Sequence, residues 1–151
     1  MSELSVVETD ILAVLDVDRT TIDSEAFAYA IGELAVSSFG ISTEYLISER
    51  KAAELIPGRS FNIVSSIQKV LAEDYTDFES KFLDLYGQRD LFTYPDVPLA
   101  VEVLENANIP IMSMTHGVYL DQRLKILTST TLRRFPFQVI DAPYACSIRS
   151  I

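Results

Sequence analysis

Two aspartates, Asp16 and Asp18, stand two residues apart at the end of an apolar run, with Thr20 just behind them. A pair so placed can divide the labour of phosphoryl transfer. Asp16 can attack phosphorus and form an aspartyl phosphate, while Asp18 gives a proton to the leaving oxygen and later takes one from water. Two ionised carboxylates this close repel each other unless a cation lies between them, so Mg²⁺ is the expected companion. A second apolar run ends in Thr115-His116-Gly117. The Thr115 hydroxyl and neighbouring backbone N–H groups can hold the transferred phosphoryl oxygens. His116, the only histidine, can donate a hydrogen bond to a substrate. Asp-x-Asp alone also describes a turn or a helix cap. Its place after an apolar strand, opposite a second strand ending in Thr, favours the chemical reading.

The elements that must hold these residues are legible in outline. Asp10 to Val17 is apolar on both faces, which suits a buried parallel strand. A polar loop over Asp18 to Ser24 follows, and then four helical stretches with no strand among them. These are Glu25–Phe39 capped by Gly40, Thr43–Leu55 stopped by Pro57-Gly58, Ser60–Ala72, and a helix ending at Tyr86. The last should open on the capping box Thr76-Asp77-Phe78-Glu79. Past the turn at Pro95 to Pro98 the alternation resumes. A helix over Leu99–Asn106 should bury Leu99, Val103 and Leu104. A strand over Ile109–Met114, a helix over Val118–Leu127 and a short strand over Phe137–Ile140 follow. Strand, helix, strand in this order indicates an α/β fold with a Rossmann-like parallel sheet. Residues 1–22 and 92–151 form its core, and residues 23–91 a helical insertion over the carboxyl edge, where open α/β sheets bind ligands.

Ile-Leu-Ala-Val-Leu-Asp-Val-Asp-Arg-Thr, ending at Thr20, resembles the first signature of the haloacid dehalogenase superfamily. Ile-Pro-Ile-Met-Ser-Met-Thr-His-Gly, ending at Gly117, resembles its second, and Tyr94 to Leu104 is similar to the segment that leads into it. The resemblance implies Asp16 as nucleophile, Asp18 as general acid and base, and Thr115 as the phosphate-binding hydroxyl. It implies Mg²⁺ on the Asp16 carboxylate and the Asp18 backbone carbonyl, and an inserted cap that selects a small phosphorylated substrate and excludes water.

Departures accompany the likeness. Arg19 stands where the family usually has a small residue, often glycine. The family's third signature, a Lys beyond the third strand, and its fourth, an acidic pair, have no counterpart after Ile140. Lys125 reads as a solvated helix residue, and Asp141 only as a remote stand-in metal ligand. These departures predict a chain cut short of its catalytic end and impaired in turnover. They also predict a first strand at an open edge, prone to pair with a second copy or aggregate.

The bulk numbers narrow the classes. Of 151 residues, 48 % are hydrophobic and 23 % charged, ordinary values for a folded protein. The net charge of −10 repels phosphate backbones and argues against nucleic-acid binding. No apolar run, Ile11 to Leu15 included, approaches the length of a membrane span. A start without signal-peptide features and a single cysteine, Cys146, suit a cytoplasmic protein without disulfides or a cysteine zinc site. The expected function is a Mg²⁺-dependent phosphatase working through an aspartyl phosphate. The alternative is a non-catalytic module of the same fold that binds a phosphorylated ligand or a protein. A receiver-like regulatory domain is disfavoured by the helical insertion, and a dehalogenase by the presence of Asp18, which has no task there.

Overall fold

A computed structural model of the chain describes residues 10–140. Asp141 and Cys146 lie outside the described residues. Three strands, β1 (Ala13–Leu15), β2 (Ile111–His116) and β3 (Phe137–Ile140), form one sheet in the order β1-β2-β3. Both pairings are parallel, with Leu15 opposite Ser113 and His116 opposite Ile140. All three carboxyl ends therefore open at one edge of the sheet. Asp16 to Asp18 and Gly117 leave from that edge.

Strand β2 is central and alternates Ile111, Ser113 and Thr115 inward. Strand β1 is an edge strand among the described residues. Its apolar run was expected to be buried, yet Ile11, Leu12 and Val14 are 59 %, 51 % and 50 % exposed. The strand keeps only Ala13–Leu15 because it has a neighbour on one side alone.

Between β1 and β2 run α1 (Ser24–Phe39), α2 (Thr43–Glu54), α3 (Ile63–Leu71), α4 (Tyr75–Tyr86) and α5 (Val97–Asn106). Helix α6 (Tyr119–Leu127) joins β2 to β3. The four-helix block α1–α4 matches the sequence expectation in number and place. Asp23 starts α1 by accepting from the Glu25 and Ala26 N–H groups, which satisfies donors that have no helical partner. Gly40 ends it at φ 67°, a left-handed conformation that costs a glycine nothing. The chain enters and leaves this block side by side: Asp23 N–H donates to Phe92 O at 2.7 Å and Tyr94 N–H to Thr21 O at 3.1 Å.

Two local expectations fail. Thr76 does not open a helix, because a 3₁₀ turn over Ala72–Asp74 runs directly into α4 at Tyr75. On α5 the inward residues are Val97 and Val101, while Leu99 and Val103 face solvent. The core is aromatic where the block meets its return segment. Phe27 meets Phe82 and Phe92 edge to face, each with ring centroids 5.6 Å apart. Burying each such ring stabilises by about 1.5–3 kcal/mol before any edge-to-face gain.

Candidate active site

An open cleft of roughly 660 Å³ lies between the carboxyl edge of the sheet and the α2–α3 connection. The sheet side contributes Asp18, Arg19, His116 and Gly117, and α6 contributes Asp121, Gln122 and Lys125. The connection contributes Pro57 to Asn62. Asp16 and Thr115 do not line the cleft, whereas Asp18, His116 and Gly117 do.

Asp18 accepts three hydrogen bonds at the site. Its Oδ1 accepts from Lys125 Nζ at 2.7 Å and from Ser24 Oγ at 2.5 Å, and its Oδ2 from Gln122 Nε2 at 2.7 Å. Lys125 Nζ also donates to Asp121 Oδ2 at 2.7 Å and lies 5.5 Å from the centroid of the Phe27 ring. Burial by itself raises the Asp18 carboxyl, but the donors from Lys125, Ser24 and Gln122 outweigh it and hold the group below its ordinary value. Burial pushes the Asp121 carboxyl above its ordinary value against the pull of Lys125.

Thr115 reaches this cluster indirectly. Its hydroxyl donates to Gln122 Oε1 at 2.9 Å, so a relay runs Thr115, Gln122, Asp18 from β2 to the end of β1. The hydroxyl's residue is only 2 % exposed, and a phosphoryl oxygen would have to displace Gln122 to take it. Gly117 has φ 135°, which favours glycine, and a Cβ there would lie 3.1 Å from Gln122 Nε2. Its N–H donates to Ile140 O at 3.0 Å and so is not free to hold an oxyanion. His116 is exposed at the rim.

Asp16 is exposed, and its Oδ2 accepts from Thr20 Oγ1 at 2.9 Å. The two aspartates thus face different partners: α6 for Asp18, and its own loop for Asp16.

No protein-family model matches the sequence, and no curated protein matches it. Several solved structures are similar to it, two of them as follows. One is a haloacid dehalogenase-like family hydrolase from Xanthomonas campestris, at 17 % identity and a TM-score of 0.46 over 92 % of this chain and 66 % of that one. The other is a HAD hydrolase, family IA, variant 3, from Entamoeba histolytica HM-1:IMSS, at 18 % identity and a TM-score of 0.40 over 85 % of this chain and 61 % of that one. The chain thus spans less than two thirds of the length of either.

The largest departure from the sequence expectation is Lys125. The sequence predicts a solvated side chain, yet it is 7 % exposed and bridges two carboxylates. Asp121 and Gln122 were missed altogether. The Asp121–Lys125 spacing of four residues on one helix was a visible signal, but it suits a surface pair equally well.

Among the described residues no three His, Cys, Asp or Glu side chains gather as a metal cluster. The Asp18 carboxylate does not fit as a Mg²⁺ ligand shared with Asp16, because Lys125, Ser24 and Gln122 already donate to its oxygens. Asp16 does fit. It offers an exposed carboxylate with one oxygen uncommitted among the described residues, and Mg²⁺ is a hard cation content with one or two carboxylates and several waters. No helix among the described residues is long and apolar enough to cross a membrane.

Proposed function

We propose that the chain is a haloacid dehalogenase-like hydrolase of the cytoplasm that transfers a phosphoryl group from a small phosphorylated metabolite. The observation that carries this reading is the meeting of Asp18, His116 and Gly117 with α6 in one cleft at the carboxyl edge of a parallel sheet. An oxygen of Asp16, which stands at the sheet edge beside the cleft and outside its lining, forms a bond to phosphorus as the bond from phosphorus to the leaving oxygen breaks. Asp18 delivers a proton to that oxygen. A water, relieved of a proton by Asp18, then attacks phosphorus and frees Asp16 and inorganic phosphate. Mg²⁺ would be held by the Asp16 carboxylate and the Asp18 carbonyl, where it would offset phosphoryl charge.

Asp18 carries three donors, which favour its ionised form. That suits the base step and opposes the acid step, so protonating Asp18 requires Lys125 to loosen. The same observation favours a second reading, a module that binds a phosphorylated ligand without turnover.

The test is hydrolysis of p-nitrophenyl phosphate and acetyl phosphate with and without Mg²⁺, in the wild type and in Asp16→Asn. Enzyme chemistry requires Mg²⁺-dependent turnover that falls at least about 100-fold in the variant. Turnover that survives Asp16→Asn rules out the aspartyl phosphate. Binding of phosphate or beryllium fluoride with no turnover at all selects the second reading.

A further inference from the structure

The cleft has a second charged pole, on the wall opposite the sheet. The α2–α3 connection turns tightly at Pro57-Gly58. Gly58 sits at φ 77°, and Arg59 N–H donates to Ile56 O at 3.1 Å. This turn sets Arg59 at the cleft.

Its surroundings leave that guanidinium uncompensated. The chain carries 22 acidic residues against 12 basic ones, so carboxylates are plentiful. Arg19, Arg50, Arg123 and Arg134 each pair with a Glu. Arg59 makes no ion pair among the described residues, although it lines a cleft that contains two carboxylates. Both of those, Asp18 and Asp121, are turned to Lys125, which they share at 2.7 Å each, and neither pairs with Arg59. Arg19, the other arginine at the cleft, is committed to Glu25 at 3.2 Å. Arg59 is thus the cation of the lining that lacks an ion-pair partner among the described residues. A guanidinium presents a rigid fork of donors that fits a carboxylate or phosphate in two-point fashion.

We propose that Arg59 is a specificity-determining residue that selects substrates bearing a second anionic group, a carboxylate or phosphate, remote from the transferred phosphoryl group. This rests on the phosphoryl-transfer reading for the sheet end of the cleft and adds the chemistry of the other end. A volume of roughly 660 Å³ has room for a two-headed metabolite of this class. Such a ligand places one anion at the mouth of the sheet and the other on Arg59. An uncharged or singly charged analogue leaves the guanidinium in water.

The probes are 3-phosphoglycerate and glycerol 3-phosphate, which share a skeleton and differ in the carboxylate. Calorimetry with Mg²⁺ is run on the wild type, on Arg59→Gln and on Arg59→Lys, with hydrolysis followed separately by phosphate release. The wild type should bind 3-phosphoglycerate about tenfold more tightly than glycerol 3-phosphate, the scale of one charge-assisted hydrogen bond. Arg59→Gln should erase that preference and leave glycerol 3-phosphate binding as it was. Arg59→Lys should restore only part of it, because an ammonium lacks the fork. Equal wild-type affinities, or equal losses for both probes in Arg59→Gln, overturn the inference. The stated preference without phosphate release keeps the role of Arg59 and sinks catalysis. Phosphate release from both probes without preference does the reverse, and binding of neither sinks both.

Discussion

The two sides of the sheet's mouth are built to opposite rules. On the α6 side, Asp121, Gln122 and Lys125 are each under 10 % exposed, and their polar atoms engage one another, Asp18 and Thr115. On the β1 side, Asp16 is exposed, Arg19 makes a surface pair with Glu25, and Leu12 and Val14 face solvent. The first side can hold a carboxylate in one geometry before any ligand arrives, which is what electrostatic preorganisation requires. The second leaves its carboxylate free to meet a ligand. Asp18 and Asp16 are two residues apart in sequence and belong to these two regimes. Sequence spacing alone therefore does not make a pair of carboxylates act as one.

The contrast breaks most readily at Lys125. Removing one partner of a buried ion pair leaves the other charge uncompensated and typically costs about 3–5 kcal/mol. Lys125→Met should therefore lower the urea midpoint sharply, toward the low end of that range, because Asp121 can take up a proton. Adding Asp121→Asn to Lys125→Met should recover part of the loss. If the two single changes and the double change prove additive, the pair is not coupled and the α6 side is no more organised than the β1 side.

Acid sharpens the same comparison. Asp18 is held below its ordinary value of 3.8, so the folded chain binds its proton less tightly than the unfolded chain. The stability this supplies is complete above the ordinary value and drains away as the pH falls through the folded one. Asp121 is held above 3.8 and works in the other direction, favouring the folded chain once it is protonated. Asp18→Asn should flatten the acid loss below about pH 4, measured as urea midpoints against pH, whereas Asp121→Asn should remove a gain that the wild type makes above about pH 4 as it is acidified. Identical slopes in all three proteins would mean that α6 does not hold Asp18 in the folded chain.

How much of this could be read in advance depended on whether the signal was local. Gly40 at the end of α1 and the short strand Phe137–Ile140 were legible, because a left-handed cap and a bounded β-rich run are properties of a few adjacent residues. The inward face of α5 was not. Val97, Val101 and Leu104 make one stripe at helical spacing, and Leu99 and Val103 make another. Periodicity cannot choose between two apolar stripes; only the neighbour that covers one of them does. Thr76 failed for a similar reason, since the chain is already helical when it arrives there. The site divides along the same line. Asp18 and Gly117 stood out because strand ends mark the ligand edge, whereas Lys125 meets Asp18 across 107 residues of sequence, a distance no local pattern spans.

The open side of the comparison yields smaller effects. Strand β1 presents an unpaired edge among the described residues, with Val14 half exposed. Such edges pair with other chains unless a charge blocks them. Sedimentation of the wild type should show concentration-dependent association that Val14→Lys abolishes, with stability within about 0.5 kcal/mol of the wild type. A wild type that stays monomeric at every concentration would show the edge to be adequately protected as it is.

The smallest expected effect is at Arg19, and it asks whether the β1 side carries any strain of its own. Arg19 has φ 59°, in the left-handed region that favours glycine. A residue with a Cβ pays roughly 1 kcal/mol to sit there. Its pair with Glu25 at 3.2 Å returns little, since both side chains are more than 70 % exposed and such pairs are worth about 0–1 kcal/mol. Glycine also gains freedom in the unfolded chain, which offsets part of the relief. Arg19→Gly should therefore raise stability by at most about 0.5 kcal/mol, read from urea midpoints, and leave the Asp18 contacts to α6 untouched. A clear loss of stability would mean that the Arg19 side chain holds the Asp16–Ser24 loop in place, and the β1 side would then be less open than its exposure implies.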